Sequence, residues 1–299
     1  MFKSVIVATD LSQDSLAVVR NMGKLKCFGL ERCLLLQTLI EGAEDSAAAS
    51  NITTIKMVLQ AKQKILADQG IDSETRIVRG LNAKEIEKIS DEEKYPLIVV
   101  GAKTRNLVSE ALLGEMAYSI IHTCRKPVLL VRLEDVREEG LLIPRPYRNT
   151  YEQHILFPTD FSETADRAFE VLKSMVSSRV KKITLMHVQD LTRLSPYLTN
   201  QLTQFNEIDE DRLKKLKETL LETADIEIDT LITYGNPSRD ILKAVKDREV
   251  QLVVMGSQGR GYVRDFFIGS VGHNIARQAE ASVLLIPAKP DSEIHLQDK

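Results

Sequence analysis

The sequence predicts an α/β protein built from two tandem, doubly wound, five-stranded parallel sheets. Three observations carry this reading. The 299-residue chain repeats itself once. Each repeat alternates short apolar runs with longer stretches of helical spacing. A charged stretch holding Gly140, Pro144 and Pro146 separates the repeats, which is a linker composition.

Val5–Ser12 matches Ile155–Ser162, and Leu34–Thr38 matches Thr184–Val188, both at an offset of 150. Leu97–Gly101 matches Leu252–Gly256, and Pro127–Val131 matches Ser282–Ile286, both at 155. One net insertion between Val188 and Gly235 accounts for the change. Copies of about 135 residues are domains in their own right rather than solenoid units. The expected division is domain 1 over 1–132, a linker over 133–150, domain 2 over 151–288 and a polar tail over 289–299.

In the second copy, strands are expected near 154–159, 182–188, 226–233, 251–256 and 282–287, and helices over Glu163–Ser177, 203–223, Ser238–Arg248 and Ser270–Gln278. Uninterrupted apolar, β-branched runs suit strands covered on both faces. Right-handed crossovers then put helices on each side, and the ligand crevice falls at the carboxyl ends of the strands.

With 43% hydrophobic and 28% charged residues the chain has a globular composition, not a disordered one. Its net charge of −3 gives no electrostatic case for nucleic acid or an anionic membrane. No apolar run approaches the ~20 residues of a spanning helix. The N-terminus runs directly into a strand pattern without a signal peptide's apolar core, and Cys27, Cys33 and Cys124 form no C-x-x-C. A cytoplasmic, reduced chain with free thiols is expected.

The most informative segment is Gly256-Ser257-Gln258-Gly259, then nine residues, then Gly269-Ser270-Val271. It follows an apolar strand and opens a helix. Glycines let the backbone turn and expose N–H groups to an anion, and the helix would aim its free N–H groups and positive dipole end at a phosphate. The same spacing also fits a loop that needs glycine only for its turns, with Ser270 as an N-cap. Asp160 with Glu163, repeated by Asp10 with Gln13, fits a capping box. His187 reads as a packed histidine, and Asp209-Glu210-Asp211 as the exposed start of a helix.

The glycine pattern, Thr159-Asp160-x-Ser162 after the first strand, His187-Val188 after the second and Gly235-Asn236-Pro237 before the third helix together resemble the universal stress protein family. The resemblance covers both copies. It implies a Rossmann-like, adenine nucleotide alpha hydrolase-like sheet of order 3-2-1-4-5 in each copy. It also implies association through the fifth strands, here as an intramolecular pseudo-dimer, with a homodimer of tandem chains left open. The implied ligand is ATP or AMP, with Mg²⁺ accompanying a triphosphate. On this resemblance Asp160 lies beside the ribose and adenine, Val188 pairs its backbone with the adenine edge, and Gly256, Gly259, Gly269, Ser270 and Val271 form the ribose- and phosphate-binding loop. Pro158, Thr159, Met255 and Arg260 complete the candidate set.

The first copy departs from the pattern. Its string is Gly101-Ala102-Lys103-Thr104, nine residues, then Gly114-Glu115. Thr104 replaces the second glycine, and Glu115 puts a carboxylate at the helix N-terminus, where it satisfies the dipole in place of a ligand. A weaker site at Asp10, Thr38, Gly101 and Gly114 is expected, restricted to less charged ligands, with Lys103 offsetting part of the repulsion.

The reading is therefore an adenine nucleotide-binding regulatory stress-response protein that binds mainly in domain 2. A nucleotide-independent protein-interaction module and a slow ATPase are the alternatives. G-x-x-x-x-G-K-[ST], G-x-G-x-x-G, G-x-S-x-G and H-E-x-x-H are all absent, and no base stands beside a nucleophile. No catalytic residue and no metal ligand is expected, and at most weak ATP hydrolysis.

Overall fold

The computed structural model describes residues 2–39, 48–79, 83–103, 113–138, 141–146, 151–176, 179–190, 202–259 and 268–288. The chain divides into two compact units, Met1–Asn149 and Thr150–Lys299. The first holds β1 (Ser4–Thr9), α1 (Gln13–Arg20), a 3-10 helix (Met22–Phe28), β2 (Arg32–Leu39), α2 (Ala48–Asp68), β3 (Asp72–Arg79), α3 (Ala83–Glu92), β4 (Ile98–Lys103), α4 (Glu115–Thr123), β5 (Val128–Glu138) and β6 (Leu141–Pro146). The second holds β7 (His154–Pro158), α5 (Glu163–Met175), β8 (Lys182–Gln189), α6 (Leu202–Leu221), β9 (Glu227–Tyr234), α7 (Pro237–Asp247), β10 (Leu252–Gly256), α8 (Ser270–Gln278) and β11 (Ser282–Ile286).

In the first unit the parallel order is β3-β2-β1-β4-β5. The second repeats it as β9-β8-β7-β10-β11. Both follow the 3-2-1-4-5 order. Consecutive strand residues are fully buried, such as Val5, Ile6 and Val7 in β1 and Ile155, Leu156 and Phe157 in β7. Only helices on both faces produce that pattern, because alternate side chains of a strand point opposite ways. Each such side chain contributes about 1.5–3 kcal/mol of hydrophobic stabilisation. The helices bury one stripe: Ala165, Ala168, Phe169, Leu172 and Met175 of α5 recur every three or four residues.

Two expectations need correction. The stretch 133–150 is not a plain connector. β5 continues through Glu138, and β6 returns antiparallel along it, pairing Leu133 with Pro146 and Asp135 with Pro144. Prolines are tolerated there because an edge strand needs only one side of its backbone for pairing. Helices α1 and α5 are capped by Ser12 and Ser162, whose side chains accept from Ser15 N and Ala165 N, and not by Asp10 and Asp160. Each aspartate instead accepts the N–H of its serine, at 2.9 and 3.1 Å, in an Asx turn two residues long. The carboxylates are thus left at the strand ends rather than consumed by the helices. The polar tail lies outside the described residues. Among the described residues no helix is long and apolar enough to cross a membrane.

Candidate functional site

In the second unit β7 lies between β8 and β10, so the crossovers leave it in opposite directions and open a crevice at the strand ends. A cleft of about 940 Å³ stands there. Pro158, Thr159 and Asp160 line it from the end of β7, Val188 from β8, Met255, Gly256 and Gly259 from β10 and its loop, and Gly269, Ser270 and Val271 from the start of α8. Ten residues scattered over 114 positions of chain are brought to one place. Arg260 falls outside the described residues.

The local backbone explains why. After β7 ends, Thr159 N still donates to Met186 O at 2.8 Å, and Thr159 Oγ1 accepts Phe161 N at 3.0 Å. Phe161 then takes φ +56, in the left-handed region that a bulky side chain seldom enters. This turn carries Asp160 to the loop after β10. A Cβ at Gly259 would stand 2.6 Å from Asp160 Oδ2, so the carboxylate takes the space that a side chain there would need. Gly256 has a different reason: a Cβ there would meet Thr164 Cγ2 at 2.9 Å and the Thr164 backbone at 3.1 Å, so it serves the packing of α5 on β10.

Ser270 is not the N-cap. That place belongs to Gly269, extended at φ −77 and ψ 165, and among the described residues no side chain caps the helix. The first N–H groups of a helix have no partner within it, and Ser270, Val271 and Gly272, which open α8, line the cleft. Gly272, which the sequence reading missed, lets α8 approach the β10 loop, since a Cβ there would lie 2.8 Å from Ser257 O. A second helix end also reaches the cleft: Asn236 caps α7 by accepting Arg239 N at 3.0 Å, with Pro237 in the first turn.

The wall nearest α6 was also missed. Asp209 is 9% exposed and lies seven residues into α6, not at an exposed helix start. It is buried because it is satisfied: Gln189 Nε2 donates to Oδ2 at 2.9 Å, and Arg212 Nη1 reaches Oδ1 at 3.4 Å. His187 Nε2 stands 3.4 Å from the same carboxylate. Asp166 on α5 has its carboxyl pushed up by burial and then by the charges of Asp160 and Glu163.

In the first unit Asp10 follows β1, Thr38 lies near the end of β2, Gly101 lies within β4 and Gly114 precedes α4. Thr104 lies outside the described residues. Gly101 is set by packing, with Val18 Cγ2 at 3.0 Å from a built Cβ. Gly114 leaves α4 without a side-chain cap, and Glu115 supplies a carboxylate in its first turn. Lys103 does not offset that charge, because its ammonium is held by Asp135 at 2.8 Å and Asp14 at 3.2 Å. Lys62, 1% exposed, donates to Asp10 O at 2.7 Å and Ser15 Oγ at 2.9 Å, and burial pulls its pKa down to about 8.

A sheet of this order with a cleft at the switch point defines a doubly wound α/β class of fold. Comparison with known proteins places the chain within it. The family model described as the universal stress protein family matches residues 1–132 and again 152–287. The chain belongs to that family, as two tandem copies. A universal stress protein of Methanocaldococcus jannaschii is 27% identical over 153 residues, covering 45% of this chain and 94% of that protein. One from Mycolicibacterium smegmatis is 23% identical over 260 residues, covering 84% of this chain and 80% of that one. The crystal structure of a universal stress protein from Archaeoglobus fulgidus superposes with a TM-score of 0.69 at 22% identity, covering 95% of this chain and 98% of that one, and shares the fold.

Proposed function

We propose that the second domain binds an adenine nucleotide, ATP or AMP, and that the protein is a nucleotide-binding regulator of a stress response rather than an enzyme. The observation that carries this is a helix N-terminus and a carboxylate brought to one cleft. At its start α8 offers N–H donors that no side chain among the described residues caps, suited to a phosphate. Asp160, beside Gly259, is an acceptor suited to the donor hydroxyls of a ribose. Val188, on β8, lines the cleft where an adenine edge would lie. Volumes of about 300–1,000 Å³ are usual for pockets that enclose ligands of this size. Mg²⁺ with a triphosphate would be held by the phosphates; among the described residues no three His, Cys, Asp or Glu side chains gather as metal ligands.

Occupancy is assigned mainly to the second domain. In the first, Glu115 meets any phosphate with a like charge, and Lys103 is engaged elsewhere. Mass spectrometry of the small molecules released by denaturing freshly purified protein tests the reading. An adenine nucleotide is expected. Release of no nucleotide, with no affinity for added ATP or AMP, would move the account to a nucleotide-independent interaction module.

A further inference from the structure

Between the cleft and α6, His187 is bonded through one ring nitrogen. Nδ1 lies 2.7 Å from the carbonyl oxygen of Thr159, so this nitrogen is the donor. Nε2 faces Asp209, which is itself fixed by Gln189 and Arg212. The imidazole also lies against Phe161, ring centres 4.7 Å apart, and the Arg212 guanidinium sits over the other partner of that pair at 5.1 Å from the Phe161 centroid. His187 therefore holds the residue before Asp160 by its carbonyl and the residue after it by its ring. Those two contacts bracket the turn in which Phe161 has φ +56. A backbone in that region persists only when its surroundings over-determine it.

The first domain supplies the contrast. Gln37 stands where His187 does, by the pairing of Thr9 with Gln37 across β1 and β2. Its carboxamide does not reach the Thr9 carbonyl. It accepts from Thr9 Oγ1 at 3.2 Å and donates to Thr38 O at 3.0 Å. Leu11, matching Phe161, is 53% exposed and is not among the positive-φ residues. The turn is instead tied from α2, by Lys62 to the Asp10 carbonyl. The two domains share the strand, the aspartate and the serine cap, and differ in what grips the turn between them.

We infer that His187 is a positioning residue for ligand binding in the second domain. By donating Nδ1–H to Thr159 and packing on Phe161 it presents the Asp160 carboxylate to the cleft. This rests on the nucleotide reading above, in which Asp160 touches the ligand; His187 acts through it.

The test separates the two nitrogens. An asparagine side chain places its N–H₂ near the position of Nδ1, and a glutamine near Nε2. His187→Asn keeps the donor to Thr159 and is expected to bind ATP within about threefold of wild type, whereas His187→Gln loses it and weakens binding about tenfold or more. On an Asp160→Ala background, His187→Gln should cost nothing further, because the residue through which it acts is gone. Equal losses for Asn and Gln, or an undiminished loss for Gln without Asp160, would overturn the inference while leaving nucleotide binding intact. Failure of the wild type to bind ATP would instead overturn the nucleotide reading. Should His187→Gln not fold, His187→Phe replaces it, keeping a ring against Phe161 without the donor: the loss it causes must likewise vanish with Asp160→Ala, and its persistence there would refute the positioning role.

Discussion

The Asp160 carboxylate occupies the space that a side chain at position 259 would need: Oδ2 stands 2.6 Å from where the Cβ would be. A glycine in the loop after one strand is thus explained by an aspartate at the end of its neighbour. The clashing atom is the end of a short, mobile side chain, so Gly259→Ala should move the carboxylate rather than unfold the loop. The expected result is a loss of ATP affinity of about tenfold with the melting temperature nearly unchanged. Gly256→Ala should do the opposite. Its Cβ meets Thr164 backbone at 3.1 Å, which cannot give way, and overpacking of that kind costs about 1–3 kcal/mol. Thermal melts and calorimetry of both variants check the pair, and a stability loss in Gly259→Ala alone would contradict it.

His154 predicts how the second domain responds to acid. Nδ1 donates to Arg248 O at 2.9 Å, and Nε2 accepts from Thr184 Oγ1 at 2.8 Å, so the neutral ring is fully satisfied. Burial, and then the charges of Lys182 and Arg248, hold its pKa below the usual value, with the Arg248 carbonyl opposing. The unfolded chain titrates near pH 6.5 and binds the proton first. Stability should be full above that pH and fall as pH drops from about 6.5 towards the lower folded pKa, by at most about 1.4 kcal/mol per pH unit for this group. Melting curves between pH 7.5 and 5 should show a steeper decline for wild type than for His154→Gln. Parallel slopes would contradict the assignment.

The thiols should divide two to one. Cys33 and Cys124 are 2% and 4% exposed, and burial pushes both up to about 12. At pH 8 almost none of either is thiolate, the reactive form. Cys27 is only half-buried. An aromatic disulfide reagent should titrate one thiol quickly in the native protein and three in denaturant. Fast reaction of Cys33 or Cys124 would mean that the strand core around β2, or the end of α4, opens readily.

Much of this was legible in the sequence because buried parallel strands leave a dense signal. Ile155, Leu156 and Phe157 are apolar in succession since both faces are covered, and the glycine spacing survives as a linear string. Side chains that meet only in space left little trace. Asp209 sits in an acidic run and reads as a solvated helix start until Gln189 and Arg212, from another element and another turn, are seen to satisfy it. His187 is an isolated histidine until its Nδ1 reaches Thr159. β6, with its two prolines, has the composition of a connector, and only its pairing with β5 makes it a strand. Capping was misread for a related reason: Asp160 and Ser162 are both good caps, and the choice between them depends on where the strand ends.

The most direct test of nucleotide binding in the second domain is a calorimetric titration of ATP into the wild-type chain and into Gly269→Glu. The variant puts a carboxylate at the N-cap of α8, one residue before the place that Glu115 holds in α4. At about 4 Å and an effective dielectric near 20, a like-charge pair costs roughly 4 kcal/mol, and half of that still weakens binding nearly thirtyfold. The account predicts close to one tight ATP per wild-type chain and its loss in Gly269→Glu. Two equivalent tight sites, or a single site indifferent to Gly269→Glu, would contradict it.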